Sequence, residues 1–211
     1  MTTLHTVGEV AEVVRARMSP DYRIVVGIVG APGAGKSTLA GELAEALAPA
    51  ATVLPMDGFH FSQERLVELG RRDRMGAPDT FDVPAFLATL VAVRRAFGNS
   101  GVSIAAPGFD REIEEPVPEA IHISPEFSTV LIEGNYLLLG SGGWERVAPL
   151  LDLTFFVDLD RETRIERLVA RHEKYGKSPT EAAEWALGPD EANAILIQTT
   201  ASRADHRVVL G

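Results

Sequence analysis

The chain is expected to fold as an α/β sandwich built on a mainly parallel sheet, and three observations lead there. Short runs of β-branched and aliphatic residues recur along it, each followed by a stretch of helical periodicity. One of those runs, Ile24-Val-Val-Gly-Ile-Val29, is apolar throughout, as a strand covered on both faces must be. Glycines, prolines and capping residues mark the exchanges between the two patterns.

The elements follow in order. Val7, Val10 and Val14 recur at helical spacing ahead of the first strand. A glycine-rich loop comes next, then an alanine- and leucine-rich helix from about Ser37 to Ala48. Ala51-Thr-Val-Leu54 forms a strand ending at Pro55, and Ser62 to Leu69 a short helix stopped by Gly70. Asp82 opens a helix reaching about Phe97, with Pro84 in the first turn, where a missing amide costs least. Gly98-Asn-Ser-Gly101 breaks it. Residues 98–128 hold four prolines, at 107, 116, 118 and 125, and little helical periodicity, so an inserted substrate-side hairpin is expected there. Thr129-Val-Leu-Ile132 and Leu153-Thr-Phe-Phe-Val157 return as buried strands, and a helix runs from Arg161 to about Lys174. Ser178-Pro-Thr-Glu181 reads as a capping box for a helix ending at Leu187 before Gly188, which makes 161–188 a candidate lid. A last helix around Asp190 to Thr200 leads to a short strand, Arg207 to Leu210. No internal repeat is visible, and residues 1–211 are expected to form one domain.

Composition narrows the function. A formal net charge of -10 repels nucleic acid and anionic membrane surfaces, so an anionic ligand must meet a local positive site. The absence of cysteine excludes disulfides and thiolate metal sites. The first residues show no basic region followed by an apolar core, and no stretch approaches the roughly 18 apolar residues of a membrane span. A soluble, cytoplasmic protein without nucleic-acid or membrane partners is expected; a homodimer stays open. Of the 20 basic residues 17 are arginine, so a lysine at a motif position, such as Lys36, carries weight.

Gly30-Ala31-Pro32-Gly33-Ala34-Gly35-Lys36-Ser37 fits G-x-x-x-x-G-K-[ST] and lies between a predicted strand and a predicted helix, with Thr38 next in line. Glycines let successive amides turn inward and form an anion nest at a helix N-terminus. Lys36 is expected to reach the β- and γ-phosphates of ATP, and Ser37 to place its hydroxyl on Mg2+. The fold class is therefore a P-loop NTPase three-layer sandwich with an inserted hairpin and lid region.

Asp57, in Pro55-Met-Asp-Gly-Phe-His60, and Glu133, in Leu131-Ile-Glu-Gly-Asn-Tyr136, each follow a strand at the sheet's carboxyl edge, where ligands gather. Phosphoryl transfer to an alcohol needs an acid that orients the hydroxyl and takes its proton, and Mg2+ needs an acidic neighbour. Asp57 is the candidate base and Glu133 the candidate magnesium-side acid; the two roles can be exchanged on sequence grounds, and either residue alone could be a cap or turn.

GAPGAGKST, PMDGFH, LIEGNYLLL and EANAILIQTTASRAD together resemble the P-loop kinase superfamily of uridine kinase, phosphoribulokinase and type I pantothenate kinase, over nearly the whole chain. Within it the chain is most similar to small bacterial proteins described as fructose transport system kinases or as nucleoside/nucleotide kinase family proteins. The resemblance implies that Asp57 is the catalytic aspartate and Glu133 the acid at the end of the later strand. It also implies an arginine-bearing lid over the phosphates. Arg164, Arg167 and Arg171 share a helix face at i, i+3 and i+7 and are its candidates, with Arg164 and Arg167 catalytic and Arg171 on the nucleotide. A solvated face pairing with Glu162 and Glu166 is the plain alternative. Asn193, Thr199 and Arg203 resemble the pantothenate kinase segment whose asparagine lies near the acceptor.

The acceptor pocket is expected from His60, Arg74, Phe81, Asp82, Phe109, Asp110, Arg111, Glu133 and Asn193, although Phe81, Phe109 and Asp82 also suit a core and a helix cap. Uridine kinases carry a histidine and arginine after the corresponding P-x-[YF]-D; here Arg111 leads into Glu112-Ile-Glu-Glu115. Pantothenate kinases are longer. A small sugar-like acceptor, fructose-like, is the expectation, with pantothenate and nucleosides as alternatives. A nucleotide-dependent switch or accessory ATPase is the alternative of another class; the chain lacks the N-K-x-D motif that reads guanine.

Overall fold

The computed structural model describes residues 1–98 and 102–210. Six strands, β1 (Thr2–Leu4), β2 (Ile24–Gly30), β3 (Ala51–Pro55), β6 (Thr129–Gly134), β7 (Leu153–Val157) and β8 (His206–Val208), form one sheet in the order β1-β8-β7-β2-β6-β3. Every pairing in it is parallel, so all six carboxyl ends lie along one edge. Two further strands, β4 (Ile104–Asp110) and β5 (Glu115–Ile123), pair antiparallel as a separate arm.

Helices cover both faces. α1 (Val7–Arg15) starts with a reciprocal cap between Thr6 and Glu9 and buries Val10, Ala11 and Val14. α2 (Lys36–Ala46) lies on the same face, burying Leu39 and Leu43 against Ile24, Val26 and Ile28 of β2. The alternate β2 residues, Val25 and Val29, face the opposite core. There α4 (Val83–Arg95), capped by Asp82, contributes Phe86, Leu90 and Val93. α3 (Gln63–Glu68) is capped by Ser62 and followed by Gly70 at φ 63. α5 (Arg161–Lys174), α6 (Pro179–Leu187) and α7 (Pro189–Gln198) complete the chain, with the Ser178–Glu181 capping box formed. Among the described residues no helix is long and apolar enough to cross a membrane.

The expected α/β sandwich forms, with differences at its margins. β1 was not legible, because three residues cannot show a period. The last strand ends at Val208, not Leu210. Of the break expected over 98–101, Gly98 turns at φ 69 and residues 99–101 lie outside the described residues. Pro107 lies in β4, and Pro116 and Pro118 in β5, positions open to proline because each strand of a two-stranded arm has a free edge.

A buried arginine helps tie the arm to the sheet. Arg23 donates to the carbonyls of Phe127 (2.7 Å), Val93 (2.7 Å) and Ser124 (2.6 Å), joining the start of β2, the end of α4 and the chain leaving β5.

Candidate functional site

The loop between β2 and α2 is shaped by glycine. Gly33 and Gly35 take φ of 78 and 95, the left-handed region that side chains disfavour. A Cβ on Gly30 would lie 2.5 Å from the Val157 carbonyl oxygen, so this residue lets β7 close on the loop. Lys36 Nζ donates to the Ala31 carbonyl at 3.0 Å, and burial pulls its ammonium down to about 8 despite the nearby carboxylates. Ser37 Oγ donates to Glu133 Oε1 at 3.1 Å.

Parallel pairing sets the two acids side by side. Pro55 of β3 is in register with Glu133 of β6, and Asp57 follows two residues later in a tight turn, Met56–Phe59. That turn passes under β4. A Cβ on Gly58 would lie 2.0 Å from the Pro107 carbonyl oxygen, so glycine permits the contact. Arg111, at the tip of the arm, then donates to Asp57 Oδ2 at 2.6 Å. Burial alone would raise the Asp57 carboxyl, but the positive charges around it, Arg111 foremost, hold it below its ordinary value. Glu133 is pushed the other way, by its burial first and then by the charge of Asp57. Divergent environments for two neighbouring carboxylates are a signature of divided chemical roles.

A cavity of about 740 Å³ collects these groups. Pro32 to Thr38 floor it, and Asp57, Arg111 and Glu133 line it together with Arg167 and Arg171 of α5. Gly30 and Ala31 do not line it; the first is a spacer and the second accepts from Lys36. His60, Phe81 and Phe109 line it together, the His60 ring 3.8 Å from that of Phe81 and 5.1 Å from that of Phe109 between centroids. Burial lowers His60 to about 4, so the ring is neutral near pH 7, and its buried Nδ1 has no protein partner. Asn193 is buried and also reaches the wall.

Other expected site residues go elsewhere. Arg164 is buried beneath the loop, paired with Glu191, and its carbonyl would lie 2.8 Å from a Cβ on Gly33. It supports the loop from behind, because the first turns of α5 pack on the loop and only later turns overhang the cavity. Arg74 is turned outward onto Asp79 at 2.8 Å. Asp110 accepts from the Glu112 amide at 2.8 Å and closes the arm's turn. Asp82 caps α4 through the Ala85 amide at 2.9 Å. Thr199 bonds the Leu196 carbonyl, and Arg203 lies against Gly140; neither reaches the cavity.

Sequence reasoning missed several wall residues. His172 Nε2 and Asp190 Oδ2 lie 2.7 Å apart, with Trp185 beside His172. Lys177, in the turn between α5 and α6, lies 3.4 Å from Glu114 of the arm and 5.0 Å from the Trp185 ring centroid. Glu114 and Trp185 line the cavity, so this contact joins the arm to the α5–α6 turn beside it. Nothing in the local pattern distinguishes these residues from an ordinary helix surface.

Comparison with known proteins agrees with this geometry. Residues 25–206 match the Phosphoribulokinase / Uridine kinase family. The structure superimposes on that of a protein from Silicibacter sp. TM1040 described as a candidate fructose transport system kinase, with a TM-score of 0.87 and 33% identity over 97% of this chain and 99% of that one. A candidate uridine kinase from Schizosaccharomyces pombe is 32% identical over 168 residues, 75% of this chain and 70% of its own. YFH7 from Saccharomyces cerevisiae, described as a candidate P-loop kinase, shares the fold, with a TM-score of 0.79 at 21% identity over 97% of this chain and 98% of that one. With a phosphate loop, two strand-end acids and a continuous family match over most of its length, the chain belongs to the phosphoribulokinase/uridine kinase family.

Proposed function

We propose that the protein transfers the γ-phosphoryl group of ATP to a hydroxyl of a small polar metabolite, a sugar-like acceptor first among the candidates. The observation that carries this reading is the placement of Asp57 and the Ser37–Glu133 pair around Lys36 in one cavity. The likeness to the Silicibacter protein favours a sugar, and that to the S. pombe protein keeps nucleosides as the alternative.

The residues fit ATP and Mg2+. The glycine cradle and buried lysine suit phosphate oxygens, and a hydroxyl beside a carboxylate offers two hard oxygen donors, the kind of protein ligation Mg2+ takes when phosphates supply the rest. Ser37 and Glu133 would hold the metal, which when bound neutralises phosphate charge during transfer.

Asp57 does the proton work. Its Oδ2 is engaged by Arg111, which leaves Oδ1 to accept the acceptor's hydroxyl proton as that oxygen bonds to phosphorus and ADP departs. Its lowered pKa keeps it ionised and ready at neutral pH. Lys36, Arg167 and Arg171 place positive charge where the transferred group develops negative charge.

The test is ADP release from Mg-ATP across a panel of fructose and other sugars, pantothenate and uridine, with Asp57→Asn alongside. One acceptor should stimulate turnover, and the variant should lose on the order of 10²–10⁴-fold in kcat while still binding ATP. Undiminished turnover in Asp57→Asn would end the base assignment.

A further inference from the structure

Because all six strands of the sheet are parallel, their exits share one edge, and each exit sends residues into the same cavity. The phosphate loop follows β2, in the middle of that row. On one side β6 and β3 carry Glu133 and Asp57. On the other, β7, β8 and β1 lead to Leu159, to Leu210, and to His5, Thr6 and Val7, all on the cavity wall. In phosphoryl transfer the attacking and leaving oxygens lie roughly in line across phosphorus. A triphosphate whose γ-group faces Asp57 therefore runs away from β3, and its base is delivered to the β7, β8 and β1 side.

We infer that residues 5–7, brought to the cleft by β1, form with Leu210 the wall that receives the nucleotide base. The inference rests on the nucleotide reading above. Both stretches lie outside residues 25–206, the part matched to the family. The chemistry is that of stacking: an imidazole, a valine and a leucine offer flat and apolar surface to a planar heterocycle.

The wall is built in advance. Glu9 Oε2 accepts from the His5 amide at 2.6 Å and the Thr6 amide at 3.2 Å, which sets the backbone at 5–6. The Val209 amide donates to the Leu4 carbonyl at 2.9 Å, joining the chain after β8 to β1. Arg207 pairs with Asp158, joining β8 to the exit of β7. A surface ordered before the ligand arrives loses little entropy on binding.

The test is titration of the full chain, His5→Ala and Leu210→Ser with Mg-ATP and with Mg-tripolyphosphate, which has the phosphates and no base. His5 is exposed, so its truncation spares the core. The expected result is a rise of about fivefold or more in the ATP Kd for each variant, with the tripolyphosphate Kd unchanged. Variants that bind ATP as the wild type does would overturn the base wall and leave the kinase reading standing. Equal losses for both probes would overturn it too, by placing the effect at the phosphates. A wild type that binds neither probe would overturn the wall together with the nucleotide reading.

Discussion

Lys36→Met should make the ligand-free protein more stable while abolishing ATP binding. The Lys36 ammonium is buried, and that burial lowers it from an ordinary 10.5 to about 8. A drop of that size corresponds to about 3 kcal/mol held against the charged form. The sign follows from linkage: below about 8 the lysine is charged in both folded and unfolded chains, so folding bears the whole cost; between 8 and 10.5 the folded form sheds its proton first and the cost disappears. Methionine removes the charge at similar length but leaves the Ala31 carbonyl without its 3.0 Å donor, a loss of about 1 kcal/mol. A net gain of about 2 kcal/mol at pH 7 remains, and it should shrink toward zero or below as pH approaches 10. Urea unfolding of wild type and variant at pH 7 and pH 10 measures the difference, and other titrating groups cancel in the comparison. Saturating Mg-ATP should reverse the order, since ligand at 100 times its Kd adds about 2.7 kcal/mol to the wild type alone. A variant no more stable than wild type at pH 7, or a gap that does not depend on pH, would refute the view that the phosphate loop holds a costly charge in wait for its ligand.

Two further outcomes follow from named contacts. Arg23→Met should strip three backbone carbonyls of their donor and destabilise the protein by about 2–4 kcal/mol, read as a lower urea midpoint; an unchanged midpoint would show that water replaces the guanidinium. Lys177→Ala should raise the acceptor KM severalfold with little effect on the unfolding midpoint, because its partly exposed ion pair holds Glu114, which lines the cavity, more than it holds the fold; an unchanged KM would show that Glu114 keeps its place without this partner.

The arginines of α5 show where sequence reading stops. Helical spacing correctly gathers Arg164, Arg167 and Arg171 onto one face, but azimuth about a helix axis does not say what each turn meets. α5 packs its start against Gly33 and Glu191 and only its later turns overhang the cavity, so Arg164 is spent on support while Arg167 and Arg171 line the wall. Arg111 was legible as a pocket residue, yet its hold on Asp57 spans 54 positions and depends on Gly58 letting the arm cross the turn. Arg74 and Asp110 went wrong for a simpler reason: each has a near neighbour in sequence, Asp79 and the Glu112 amide, that satisfies it locally.

The amino-acid sequence by itself determined the parallel α/β core and the phosphate loop, because apolar runs, caps and eight contiguous residues of backbone conformation contain all the information those features need. It also determined that Asp57 and Glu133 leave their strands at the ligand edge. Only the tertiary structure decided which cations face the cavity, that β1 adds His5 and Val7 to its lining, and that Lys177 meets Glu114 of the arm. Those outcomes depend on how separate elements cross and how closely their backbones approach, and no periodicity within a single element records that.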